Sequence, residues 1–345
     1  MRSIAVIRTT TLRVAARGAG SGPGPLLLLA ACLALPWTIA LAVGGKDSAR
    51  VDKASPPMLA PETTGPRAEA VVPEMEALTT LVPLPPLRWL VAGIAGESVE
   101  IGLLVPPGAS AEDYDPSPQE IGRFARTRLF FALDTPVERR WLPRLQHLNP
   151  DLQVVPLHLP DPQLDWSGQL LPFSRRVVPA ADPMMDFHGW TSPAVLLAWV
   201  DPIVAAFSKA QPQEAAAFAA RGERMRAELE TLDRELAALL EPYRGRSFLT
   251  LHPAWGYFAH RYGLHQLTLE EQGREPGPRT LARVLAAART AEVQQIFVPP
   301  RTRQGFVRQA AGQLAAEVVE VDELAEDYPA TLRRFAAALV RGFGA

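Results

Sequence analysis

One long amphipathic segment, from Gln213 to Glu241, constrains the fold of this chain more than any other feature. Its apolar residues recur at intervals of three, four and seven, which places them on one stripe of a helix. At about 1.5 Å of rise per residue the helix would be roughly 40 Å long, more than one small α/β lobe requires. We therefore expect a strut that contacts two lobes, with a coiled-coil dimer helix as the alternative. The stripe contains Phe218, Met225, Leu229, Leu232, Leu236 and Leu239.

Short apolar runs alternate with helical patterns on both sides of this segment. Strands that alternate with helices indicate a parallel sheet with helices on both faces. The predicted fold class is α/β, with two lobes, each a mostly parallel sheet flanked by helices, joined by one long rigid helix. The predicted boundaries are 75–210 for the N-terminal lobe, 211–243 for the connecting helix and 244–345 for the C-terminal lobe.

The first 74 residues are predicted to lie outside both lobes. Residues 1–45 combine four arginines, an apolar stretch and the small-x-small sequence at Ala40 to Ala42, which is typical of an export signal. An uncleaved membrane anchor and lipidation at Cys32 are the alternatives. Residues 46–74 are rich in Pro, Ala, Glu and Ser without periodicity, which predicts a disordered tether. The protein is therefore expected to be periplasmic or otherwise extracytoplasmic, with membrane anchoring left open.

Charge and cysteine content limit the chemistry that the chain can support. The formal net charge is -2, so nothing indicates a nucleic-acid surface. Cys32 is the only cysteine, and cleavage after Ala42 would remove it. A metal site in the mature protein must then use histidines and carboxylates.

Several such side chains fall where predicted strands end. The loop 106–118 follows a strand and carries three carboxylates, and His252 and Asp322 each come directly after another predicted strand. Ligands of open α/β sheets bind beyond the carboxyl ends of the strands. His188 precedes an apolar helix, a position in which a core histidine is more common than a ligand. These residues predict a ligand-binding edge without identifying the ligand.

Four short motifs, in this order, resemble those of the periplasmic zinc/manganese-binding receptors of ABC importers. The resemblance runs from about Ala77 to Ala338. In that family a rigid helix joins two α/β lobes, and each lobe supplies two ligands to one metal ion. The motifs here are Asp113 to Pro118, His188 to Pro193, His252 to Phe258, and Asp322 to Tyr328.

Carried over position by position, the resemblance implies the metal ligands Glu112, His188, His252 and Asp322. The family usually has His where this chain has Glu112, and Asp113 is a competing candidate in the same loop. Two imidazoles and two carboxylates suit Zn²⁺, and Mn²⁺ favours the oxygen ligands, so the metal identity stays open between the two.

The resemblance implies a monomeric receptor, not an enzyme, that captures a divalent metal ion as cargo and delivers it to an ABC importer membrane permease. Four protein ligands would close the coordination shell, whereas a catalytic metal keeps a position for water. The alternatives are the same fold with a degenerate site for a non-metal ligand or a partner, and a metal-dependent hydrolase.

Overall fold

The structure is a computed structural model that describes residues 77–159, 186–270, 275–300, 302 and 304–344. The predicted export signal at 1–45 and the tether at 46–74 lie outside the described residues. All strands and helices named below belong to the described part of the chain.

The first lobe is built on a four-stranded parallel sheet with the strand order β2-β1-β3-β4. Two of its helices begin with capping boxes, at Ser117 before α2 and at Thr135 before α3. The elements are β1 Leu78–Val82, α1 Pro85–Ala95, β2 Val99–Leu103, α2 Pro118–Phe124, β3 Leu129–Ala132, α3 Pro136–Leu148 and β4 Gln153–Pro156.

The second lobe contains another four-stranded parallel sheet, with the order β6-β5-β7-β8. This is the same order, counted from the first strand of each lobe, although the sequence shows no internal repeat. The elements are β5 Ser247–Thr250, α6 Gly256–Tyr262, β6 His265–Thr268, α7 Pro278–Thr290, β7 Gln295–Val298, α8 Gln304–Leu314, β8 Glu317–Glu320 and α9 Tyr328–Gly342.

Helices α4, Pro193–Ala210, and α5, Ala215–Leu240, lie between the two sheets in the sequence and pack against each other. Helix α4 is long and apolar enough to cross a membrane by length and composition. Its side chains Trp199, Ile203 and Phe207 are nevertheless buried in the protein interior, as in the core helix of a globular fold.

Helix α5 is the predicted long helix, and it contacts both lobes. Near its start, the Arg221 guanidinium donates hydrogen bonds to the carbonyl oxygens of Ile94 and Ala95 in the first lobe. Near its end, Asp233 forms an ion pair with Arg261 in the second lobe. The predicted strut is therefore confirmed as a helix held at both ends.

One residue of the predicted stripe differs in the structure, and one glycine shapes the packing of the helix. Leu239 is 41% exposed, and Leu240 takes the buried position at the end of the stripe. At Gly222, the missing side chain allows α4 to approach closely. A Cβ atom at Gly222 would lie 2.5 Å from the Cγ2 atom of Val204.

The lobes also contact each other directly between α1 and the segment that follows β8. Arg88 forms an ion pair with Glu326 at 3.1 Å, and the rings of Trp89 and Tyr328 have centroids 5.2 Å apart. Residues 321–328 therefore lie between the C-terminal sheet and the N-terminal lobe.

Candidate metal centre

Glu112 lies in the loop that leads from β2 to α2. The Ser110 hydroxyl accepts hydrogen bonds from the backbone N–H groups of Glu112 and Asp113. From outside the loop, the Arg140 guanidinium in α3 donates a hydrogen bond to the carbonyl oxygen of Glu112 at 2.9 Å. The loop is thus fixed on both sides of Glu112, whose side chain remains 25% exposed.

His188 is buried in the segment that precedes α4. Its Nδ1 atom lies 2.8 Å from an Asp186 carboxylate oxygen, which also accepts the backbone N–H of His188. The Phe187 ring stacks on the imidazole with centroids 4.2 Å apart. Because the ring is held by both contacts, its Nε2 atom points in a fixed direction.

His252 lies two residues after the end of β5, at the carboxyl end of a central strand of the second sheet. Its Nδ1 atom lies 2.9 Å from a carboxylate oxygen of Glu270, which follows the neighbouring strand β6. The carbonyl oxygen of His252 accepts a hydrogen bond from the Thr250 hydroxyl at 2.8 Å. With Nδ1 held by Glu270, the Nε2 atom of His252 faces His188 of the other lobe.

The ligand atoms of Glu112, His188 and His252 meet at one point and lie within 4.8 Å of one another. The Nε2 atoms of the two histidines are 3.2 Å apart. The Nε2 atom of His252 is 3.4 Å from Oε1 of Glu112. Two nitrogen ligands of a tetrahedral zinc ion, at bond lengths of 2.0–2.1 Å, lie about 3.3 Å from each other. The spacing therefore fits a shared metal ion.

The two outer carboxylates determine which ring nitrogens carry hydrogen. An ionised carboxylate only accepts hydrogen bonds, so the Nδ1 atoms facing Asp186 and Glu270 are the protonated ones. In the neutral form of both rings, two Nε2 lone pairs would then face each other at 3.2 Å. A proton or a cation between them removes this repulsion.

The pKa of His252 reflects this arrangement. Burial is the largest single influence on this pKa and lowers it, and the hydrogen bond to Glu270 is the largest influence that raises it. Together with the negative charges of Glu112 and Glu323, that bond raises the pKa of His252 to about 9. In the metal-free protein at neutral pH, His252 is therefore an imidazolium, and a metal ion competes with its proton.

Asp322 follows β8 and lines the same cavity as the two histidines. Its Oδ1 atom accepts the backbone N–H of Leu324 at 2.9 Å. Among the described residues, the group of clustered ligand atoms contains Glu112, His188 and His252 but neither Asp322 nor its neighbour Glu323. The predicted role of Asp322 as the fourth ligand stays a prediction.

Three further carboxylates near the centre were not predicted as site residues from the sequence. Asp186 and Glu270 hold the two histidine rings, and Glu323 adjoins Asp322. Burial raises the pKa of Glu323, while the nearby His252 and His188 lower it. Asp186 could have been identified from its position two residues before His188. The position of Glu270 depends on the pairing of β5 with β6, and β6 was not predicted.

The cavity around these residues has a volume of about 420 Å³ and is strongly acidic. Its lining includes six carboxylates, and no Lys or Arg belongs to that lining among the residues that the structure describes. Such a cavity attracts cations and repels anions. The acidic lining residues are Glu112, Asp113, Glu270, Glu275, Asp322 and Glu323.

Solved structures share this fold. A zinc-bound deletion mutant of ZnuA has a TM-score of 0.70 at 25% sequence identity, and the match covers 78% of this chain and 99% of that chain. The SBP (solute-binding protein) FpvC of Pseudomonas aeruginosa in complex with Mn²⁺ has a TM-score of 0.62 at 18% identity, covering 77% and 98%. The fold is that of two-lobed solute-binding proteins.

The chain belongs to the family described as zinc-uptake complex component A, periplasmic, which matches residues 81–342. The high-affinity zinc uptake system protein ZnuA of Paracoccus denitrificans is 38% identical over 79 residues, 23% of this chain and 24% of that protein. The zinc-binding protein AdcA of Streptococcus pyogenes is 23% identical over 225 residues, 61% of this chain and 44% of that protein. The chain thus spans less than half the length of these two relatives.

Proposed function

We propose that this protein is an extracytoplasmic receptor that captures a divalent transition metal ion, Zn²⁺ or Mn²⁺, between its two lobes. Glu112, His188 and His252 bind the ion, and Asp322 is the predicted fourth ligand. The observation that carries the proposal is the 3.2 Å approach of two Nε2 atoms from different lobes, each ring held by a carboxylate at Nδ1.

The proposed role is capture and delivery, not catalysis. His188 is 4% exposed, and the His252 side chain is 16% exposed. Two buried imidazoles and the nearby carboxylates fill the positions around the ion, whereas a catalytic metal needs an open position for water or substrate. We therefore expect the purified protein to bind metal without hydrolysing esters or peptides.

The cargo is Zn²⁺ or Mn²⁺, and the donor set favours them for different reasons. Two imidazoles suit zinc, which also binds more tightly than manganese at a given site. The excess of carboxylates in the cavity suits manganese, which prefers oxygen ligands. Zinc is the first choice because the two shortest approaches to His252 Nε2 match a tetrahedral zinc site.

Export, oligomeric state and delivery of the ion are proposed from membership in the family. The protein is exported through its N-terminal segment, remains a monomer, and passes the ion to the membrane permease of an ABC importer. Membership in a family of zinc-uptake components supports this assignment. Zinc-bound and manganese-bound proteins with the same fold support the nature of the cargo.

Metal content and affinity of the purified protein test the proposal. We expect one equivalent of metal by elemental analysis and, after chelation, one site in competition titrations with zinc and manganese. His188→Ala and His252→Ala should each weaken zinc binding by orders of magnitude while the fold is retained. His147→Ala removes an exposed histidine of α3 and serves as the control. Unchanged titration of the double variant His188→Ala, His252→Ala would exclude the proposed site.

A further inference from the structure

Two carboxylates, Asp322 and Glu323, follow β8 one after the other and both line the central cavity. The chain turns at Glu323 and Leu324, where the Asp322 carboxylate accepts the backbone N–H of Leu324, so the two side chains do not have equivalent positions. The question is which of the two completes the metal centre.

Besides the central cavity, Glu323 and Asp322 each line a second pocket, and these two pockets are different. Glu323 also lines the small pocket that lies beside His252, Thr250 and Trp255, on the interior side of the sheet edge. Asp322 also lines the groove between β8 and α9, together with Arg334 and Arg341. Glu323 is therefore on the histidine side and Asp322 on the side of the outer groove.

Contacts of the main chain point the same way. The Trp190 indole N–H donates a hydrogen bond to the carbonyl oxygen of Glu323 at 3.1 Å. Trp190 is 1% exposed and lies two residues after His188. This bond between the lobes fixes Glu323 beside the segment that carries His188. Asp322, by contrast, uses Oδ1 in a local turn with Leu324.

We infer that Glu323, rather than Asp322, supplies the carboxylate of the C-terminal lobe to the bound ion. This inference rests on the proposed function. The ligand set is then Glu112, His188, His252 and Glu323, and two carboxylates neutralise the charge of a divalent ion in a buried site. Such neutralisation matters because an uncompensated charge is costly in a buried environment.

Matched amide variants of the full chain, Glu323→Gln and Asp322→Asn, test the inference. Both keep the size of the side chain and remove one charge. We expect Glu323→Gln to lower zinc affinity at least about tenfold in competition with a chromophoric chelator. Asp322→Asn should stay within about threefold of the parent. The visible absorption of bound Co²⁺, which reports coordination geometry, should change for Glu323→Gln and not for Asp322→Asn.

Other results of this experiment would overturn either the inference or the proposed function. A loss for Asp322→Asn that equals or exceeds the loss for Glu323→Gln overturns the inference, and so does parental affinity in both variants. In those cases zinc binding by the parent still supports the proposed function. A parent that binds neither zinc nor manganese overturns the proposed function itself. If Glu323→Gln does not fold, Glu323→Asp retains the charge on a shorter side chain, and an unchanged Co²⁺ spectrum in that variant overturns the inference.

Discussion

The Nδ1 atom of His252 lies 2.9 Å from a carboxylate oxygen of Glu270, and the equivalent atom of His188 lies 2.8 Å from Asp186. One carboxylate comes from each lobe. Both pairs leave Nε2 free to face the other histidine, so the orientation of each ring is set by its own lobe. Outer carboxylates of this kind orient histidine ligands and increase their basicity.

Removal of either outer carboxylate should therefore weaken metal binding without removing a ligand. We expect Glu270→Gln and Asp186→Asn each to lower zinc affinity by about 10- to 100-fold. Glu275→Gln is the matched control, because Glu275 lines the same cavity and is exposed. Competition titration at pH 7.5 measures all three variants. Equal losses for Glu270→Gln and Glu275→Gln would indicate a general effect of cavity charge instead of ring orientation.

The pH dependence of metal binding should extend above the range of an ordinary histidine. If the pKa of His252 were near the ordinary value of 6.5, the affinity for metal would level off above about pH 7. Because the pKa of His252 is raised to about 9, zinc must displace its proton throughout the range from about 6.5 to 9. The apparent affinity should rise by up to about tenfold per pH unit in this range. Calorimetry in buffers of different ionisation enthalpy should detect about one released proton per ion.

The raised pKa of His252 should also affect the stability of the metal-free protein. Metal affinity should rise with pH, whereas the stability of the metal-free protein should fall. A histidine whose folded pKa is raised stabilises the fold fully below its unfolded pKa, and this contribution is lost as pH rises toward 9. The free energy of unfolding should therefore decrease between about pH 6.5 and 9. His252→Ala should lack that decrease. A parent whose stability and metal affinity are both constant across this interval would contradict the raised pKa.

The unusual carboxylate at the first ligand position should influence metal selectivity. Glu112→His replaces a hard oxygen ligand with a nitrogen ligand, so the ratio of zinc affinity to manganese affinity should increase. Glu112→Ala should weaken both metals but retain some binding through the histidines. Asp113→Ala is the control from the same loop. Loss of binding in Asp113→Ala with none in Glu112→Ala would assign the ligand to Asp113.

Gly222 should be needed for the contact between α4 and α5. In an exposed helix, replacing Gly with Ala stabilises by about 1 kcal/mol. At Gly222, however, the new Cβ would lie 2.5 Å from Cγ2 of Val204, a stiff β-branched side chain. Gly222→Ala should therefore destabilise the protein by about 1–3 kcal/mol. Chemical denaturation measures the change, with Gly312→Ala, at an exposed position of α8 that has open space, as a stabilising control.

The long periodic helix and most of the short apolar strands were predictable from the sequence, but two elements without a clear apolar pattern were not. The stripe from Phe218 to Leu236 predicted α5 because its spacing has one interpretation. Strand β6 has only four residues, from His265 to Thr268, and was missed. Helix α3 was also missed, since its charged sequence is interrupted by Pro143.

The clustering of the candidate ligands was predictable where they lie in or beside a recognisable motif. The motifs predicted Glu112, His188 and His252, whose ligand atoms the structure brings together. The relation of Asp322 to Glu323 depends on which way adjacent side chains turn after β8, and sequence spacing does not determine that direction. Glu270 lies 18 residues from His252, and only the pairing of β5 with β6 brings them together.

The hydrogen bond from the Trp190 indole to the carbonyl oxygen of Glu323 joins the two lobes within two residues of His188. Binding of the metal ion should therefore also stabilise the contact between the lobes. A ligand that binds only the folded form stabilises it, by about 4 kcal/mol when its free concentration is 1,000 times Kd. Proteases act on opened molecules, so an empty receptor would be degraded sooner than a loaded one. The abundance of the receptor in the cell envelope would then follow the supply of the metal that it carries.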